Sequence, residues 1–83
     1  MKKTTRQDAI EKAKIAISQY PSKKWGLEIA EDKVYQESGW WYVPVIANSV
    51  KRDISYYDLI ANINGELQDV MGLNIMVDSY IPV

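Results

Sequence analysis

Apolar residues fall into two helical rhythms and several extended runs along these 83 residues. Ala9, Ile10, Ala13, Ala16, Ile17 and Tyr20 recur at intervals of three and four, the spacing that gathers side chains on one face of a helix. Thr5, with Asp8 three residues on, supplies a capping-box start. Pro21 predicts the stop, because it pushes the residue before it out of the α region. The stripe is rich in alanine, which predicts a helix lying close to a sheet. From Trp25 the pattern turns extended. Leu27 and Ile29 alternate with Glu28, the triplet Glu31-Asp32-Lys33 interrupts, and Val34-Tyr35-Gln36 resumes. This predicts one irregular strand with a bulge at the triplet, in preference to two short strands about a turn. Glu37-Ser38-Gly39 then predicts a tight hairpin, with Gly39 able to take positive φ.

The next run, Trp40-Trp41-Tyr42-Val43-Pro44-Val45-Ile46-Ala47, carries bulky side chains on both sides of a strand. Trp40, Tyr42, Pro44 and Ile46 share one face; Trp41, Val43, Val45 and Ala47 share the other. Such a strand must be central or lean on a partner, yet Pro44 cannot donate to a ladder, so one flank is open or bulged there. After the polar stretch of residues 48–53, Ser55 and Asp58 repeat the capping signature. Tyr56, Leu59, Ile60, Ile63, Leu67 and Val70 make a second buried stripe. The stripe runs in phase through Asn64-Gly65, so one helix is expected, with a weak point of about 1 kcal/mol at the glycine. Gly72 is placed for a left-handed cap, and residues 73–81 form the last strand, ending at Pro82. The order α-β-β-α-β predicts one α+β domain over residues 1–83. Its form is a two-layer sandwich with a three-stranded sheet and two helices packed on one face. That arrangement resembles a ferredoxin-like unit without its first strand, which would leave a strand position for a partner chain.

A second resemblance rests on particular residues. Asp8-Ala9-Ile10 through Ala16, followed by a hairpin ending in Gly39-Trp40-Trp41-Tyr42-Val43, resembles the helix-plus-hairpin unit of PepSY-like domains. It is also similar to some small bacterial immunity proteins that neutralise a cognate toxin. The resemblance covers the first half of the chain. It implies a binding or inhibitory module without catalytic residues.

Composition narrows the chemistry. These 83 residues contain neither cysteine nor histidine. That removes disulfides, thiolate nucleophiles, the usual general base near neutral pH and the commonest metal ligand. No enzyme activity, metal or cofactor is expected. Glu28, Glu31, Asp32 and Glu37 read as solvated acids, and Glu66 with Asp69 make a poor metal site without further oxygen ligands. Every aromatic is Trp or Tyr, so each has a polar tip that needs water or a partner. Met1-Lys2-Lys3 leads into a polar amphipathic stretch, unlike a secretory signal, and a cytoplasmic protein is expected.

The expected function is therefore a non-catalytic protein-interaction module, self-associating as a homodimer or binding a partner protein. The contacts would run through a sheet edge and exposed aromatics: Trp40, Trp41, Tyr42 and Tyr57, with Arg52 at the rim. The alternative is a nucleic-acid-binding accessory protein. The charge of −1 hides an excess of bases before residue 25, with Lys2, Lys3, Arg6, Lys12, Lys14, Lys23 and Lys24 as the candidate contacts.

Overall fold

A computed structural model describes residues 4–20, 26–47 and 54–80. Helix α1 spans Arg6–Ser18 and starts as its sequence predicts. The Thr5 hydroxyl accepts from the Asp8 N–H and the Asp8 carboxylate accepts from the Thr5 N–H, each at 3.1 Å. Both bonds satisfy donors that a helix start otherwise leaves unpaired. Ala9, Ile10, Ala13 and Ala16 are buried, with Ile17 and Tyr20 packed partly against the same core.

Four strands are present where three were expected: β1 (Leu27–Ile29), β2 (Tyr35–Glu37), β3 (Trp40–Ala47) and β4 (Ile75–Ser79). Both β1 and β2 pair antiparallel with β3. Leu27 faces Ala47 and Tyr35 faces Tyr42, eight steps along this margin against five along β3. A 3₁₀ turn at Glu31–Lys33 takes up the surplus. The expected single bulged strand is thus two short strands in one lane.

Pro44 accounts for where the lane breaks. Alternate residues of a strand send their N–H and C=O to opposite margins. The Pro44 carbonyl accepts from the Ala30 N–H at 2.9 Å, so the N–H that proline lacks would also have pointed toward β1 and β2. Val43 and Pro44 have no register partner on that margin, where the turn leaves the ladder. A proline in a central strand is tolerated because nothing beside it needs its donor. The hairpin from β2 to β3 is two residues long, with φ of 52° at Ser38 and 81° at Gly39. Both central residues left-handed is the turn whose twist matches the flanking strands.

On its other margin β3 pairs with β4 in parallel, from Trp41 opposite Ile75 to Val45 opposite Ser79. The crossover between them is helix α2, Ile54–Gly65. It is already helical one residue before Ser55, so that residue sits in the first turn and not at the expected cap. The helical path continues through Gly65 into a π-wound turn, Glu66–Val70, with Met71 N–H bonded to the Glu66 carbonyl at 3.0 Å. Gly72, at φ 67°, ends it, and the Leu73 N–H reaches the Leu67 carbonyl at 2.9 Å. The wider winding corrects one expectation. Tyr56, Leu59, Ile60, Ile63 and Leu67 are buried as their spacing predicts, but Val70 is 72% exposed and Met71 packs against the core instead.

The sheet is therefore mixed, four strands in three lanes, with β3 at its centre. Residues of both helices join Val43, Val45, Ala47, Ile75 and Val77 in one core, so both helices cover the same face. The fold is a two-layer α+β sandwich.

Candidate functional site

Directly opposed residues of paired strands share a face. Leu27, Ile29, Ile75 and Val77 therefore join Val43, Val45 and Ala47 beneath the helices. The other face is assembled by the same register. Tyr35 and Met76 flank Tyr42, Glu37 lies beside Trp40, Asp78 beside Pro44, and Glu28 beside Ile46. No described helix packs on this side. Pro44 at its centre is buried, Trp40, Tyr42, Ile46 and Met76 are half-buried, and Tyr35 is 48% exposed. The Tyr35 and Tyr42 rings stack at 5.0 Å with 14° between their planes, a cross-strand contact of about 0.5–1.5 kcal/mol.

The strand residues give this face a net negative charge. The four strands contain Glu28, Glu37 and Asp78 and no Lys or Arg. The Tyr35 hydroxyl is held above its ordinary value of 10.0, first by loss of water contact, then by the charges of Asp78 and Glu37, then by Tyr42. Acids from both outer lanes thus act on a single phenol.

Of the residues expected to bind a partner, Trp40 and Tyr42 lie on this open face. Trp41 points the other way. It packs partly against the core, and its indole N–H donates to the Thr4 carbonyl at 3.3 Å, fastening the start of α1 to the sheet. Tyr57, 55% exposed, belongs to the helix layer and meets Tyr56 edge-on at 5.2 Å. Arg52 lies outside the described residues. The sheet thus separates the expected set, and adds Tyr35, Ile46, Met76 and Asp78 to it. Ile46 shares the face by alternation within its own strand. The other three join through register, which depends on the length of the 3₁₀ turn and on the parallel pairing of β4.

Of the candidate basic residues, Arg6, Lys12 and Lys14 are described, and only Arg6 and Lys14 lie together. Lys2, Lys3, Lys23 and Lys24 lie outside the described residues. The Arg6 guanidinium donates to the Glu31 carbonyl, and the Lys14 ammonium sits 3.2 Å from the Glu31 carboxylate, so both tie α1 to the 3₁₀ turn. Lys12 is two residues from Lys14 and hence about 200° around the helix from it.

The sheet margins are unequal. Trp41 N–H bonds the Asn74 carbonyl and Tyr80 N–H bonds the Val45 carbonyl, so even-numbered residues of the β4 run face β3 and odd ones face outward. Asn64 of α2 reaches over that outer margin. Its amide oxygen accepts from the Val77 N–H at 2.7 Å, and its amide nitrogen donates to the Val77 carbonyl at 3.1 Å. Gln68, one turn on, donates to the Ile75 carbonyl at 3.2 Å, and the Tyr56 hydroxyl donates to the Ser79 hydroxyl at 2.7 Å. The strand position expected to stand open is closed because β4 pairs directly with β3, and side chains of α2 and its π-wound end cover the outer margin of β4. On the far margin an open groove of about 420 Å³ runs between α1 and β1, lined by Lys14, Ile17 and Ser18 of the helix, Leu27, Glu28 and Ile29 of the strand, and Glu31.

Among the described residues no three His, Cys, Asp or Glu side chains gather to hold a metal ion. No helix among them is long and apolar enough to cross a membrane. Compared with protein-family models, curated proteins and solved structures, the chain matches none.

Proposed function

We propose that this chain is a non-catalytic protein-interaction module that docks a partner protein on the open face of its sheet. The observation that carries this is an aromatic sheet face on which no described helix packs. Trp40, Tyr42, Tyr35, Ile46 and Met76 lie together on the side away from both helices. Isolated surface apolar residues are ordinary, but a contiguous aromatic patch marks a contact surface. Trp and Tyr are also the residues that anchor interfaces, because their rings give area at low entropic cost while the polar tips stay satisfied.

Face packing fits better than strand addition. Asn64 and Gln68 occupy the hydrogen-bonding groups of the β4 margin, and the opposite margin offers two strands of only three residues each. A nucleic-acid role has less support, since Arg6 and Lys14 are engaged with Glu31, Lys12 lies on the other side of α1, and the strands give the open face acids and no base. A cytoplasmic setting belongs to the same proposal and fits a chain without cysteine.

Site-specific photo-crosslinking in cells that produce the protein tests the proposal. A photoreactive side chain in place of Tyr42 is expected to yield a discrete protein adduct, and one in place of Tyr57 is expected to yield none. Adducts from position 57 alone, or from neither position, refute docking on the sheet face.

A further inference from the structure

The open face of the sheet presents an aromatic centre inside an acidic rim, and we propose that its occupant is a cationic segment of a partner protein. That segment carries an apolar or aromatic anchor flanked by Lys or Arg. The inference rests on the docking role proposed above and names the partner's chemistry.

Charge complementarity selects the sign. Glu28, Glu37 and Asp78 project from three different strands onto one face, and no strand supplies a base to pair with them. A second copy packed face to face would bring these acids toward their own counterparts, a like-charge arrangement that costs several kcal/mol in a closed interface. A cationic segment instead pairs with them at the rim. Its Lys or Arg can also lie over Trp40 or over the stacked Tyr35–Tyr42 pair, whose ring faces attract cations. Loss of water contact, and after it the charges of Asp78 and Glu37, hold the Tyr35 hydroxyl above its ordinary value, so both acids lie within reach of this phenol.

Area selects a segment over a broad protein surface. The central strand is eight residues long and the sheet three lanes wide. At ~3.3 Å per residue and ~4.8 Å per lane, the open face offers roughly 300–400 Å². A stable interface between globular proteins buries about 800 Å² on each side, so this face alone is half of what a homodimer needs. A single extended or helical segment matches it.

The test selects short random peptides displayed on phage against the immobilised full chain. Enriched sequences are then synthesised and titrated into the isotope-labelled chain, following the Trp40 indole and the amides of β2, β3 and β4. Basic peptides with apolar anchors are expected to be enriched and to shift Trp40 and Tyr42. Their affinity should fall about tenfold in the E37K/D78K double variant, about threefold in the milder E37Q/D78N variant, and steadily as salt rises. Peptides that bind at Trp40 but are neutral or acidic, or that ignore the charge substitutions, overturn the cationic assignment while leaving the docking face in place. No enrichment, or shifts confined to α1 and α2, overturns both. A dimer in sedimentation velocity that W40S disperses gives the face to a second copy and also overturns the proposal.

Discussion

Asn64 holds both the N–H and the C=O of Val77, and it does so from the middle of a helix, where asparagine is a poor choice on propensity alone. Its value lies elsewhere. An outer strand presents a row of unpaired peptide groups that invite other chains, and proteins cover or blunt such rows. Here two amides one turn apart do the covering, Asn64 at Val77 and Gln68 at Ile75. N64A removes both bonds to a fully buried residue, whereas Q68A removes one bond to a carbonyl that has a second lone pair. The expected losses in urea denaturation are about 1–3 kcal/mol for N64A and less than about 1 kcal/mol for Q68A. N64A should also promote concentration-dependent association through the uncovered margin. Equal losses, or an N64A chain as stable as the parent, would show that these amides do not hold the margin.

At the level of elements, the π-wound turn decides which residues face the sheet. An α-helix continuing past Leu67 would bury Val70, but the wider turn places Met71 there and leaves Val70 in water. V70E is therefore expected to fall within about 0.5 kcal/mol of the parent, as for an ordinary surface change. M71A is expected to cost roughly 1–2 kcal/mol, below the ~2–5 of a fully buried methionine because Met71 is only partly covered. A reversed order in thermal melts would mean the segment winds as a plain α-helix. The sequence revealed elements governed by neighbouring residues: the Thr5–Asp8 capping box, the Ser38-Gly39 hairpin, the left-handed Gly72 and both buried stripes up to Leu67. What it hid depends on distant residues. The split of β1 from β2 answers to Pro44 on the next strand. The π turn and the amide clasp become visible only once α2 is laid against β4. The open face follows the same division, since Trp40 and Tyr42 share it by simple alternation, while Tyr35 and Met76 reach it only through register.

Across the whole molecule, β3 divides folding from recognition. The protein is a slab, 40 × 28 × 18 Å along its principal axes, so each strand residue points either into the single core or away from it. Val43 is fully buried under the helices, and V43A should remove about 2–3 kcal/mol, the transfer free energy of two methyl-sized groups plus a cavity term. That is a large part of the few kcal/mol available to a domain of this size. W40S and M76S delete larger or comparable side chains from the opposite face, where no described helix packs. Each is expected to cost less than about 1 kcal/mol. The contrast is measured by urea denaturation with unchanged slopes, so that stability and not denatured-state compactness is compared. If W40S matches V43A, Trp40 is part of an intramolecular core and the face is not free for another molecule. If the contrast holds, the aromatic residues of that face contribute little to the fold that carries them, and their clustering beside Glu37 and Asp78 is explained by what they bind.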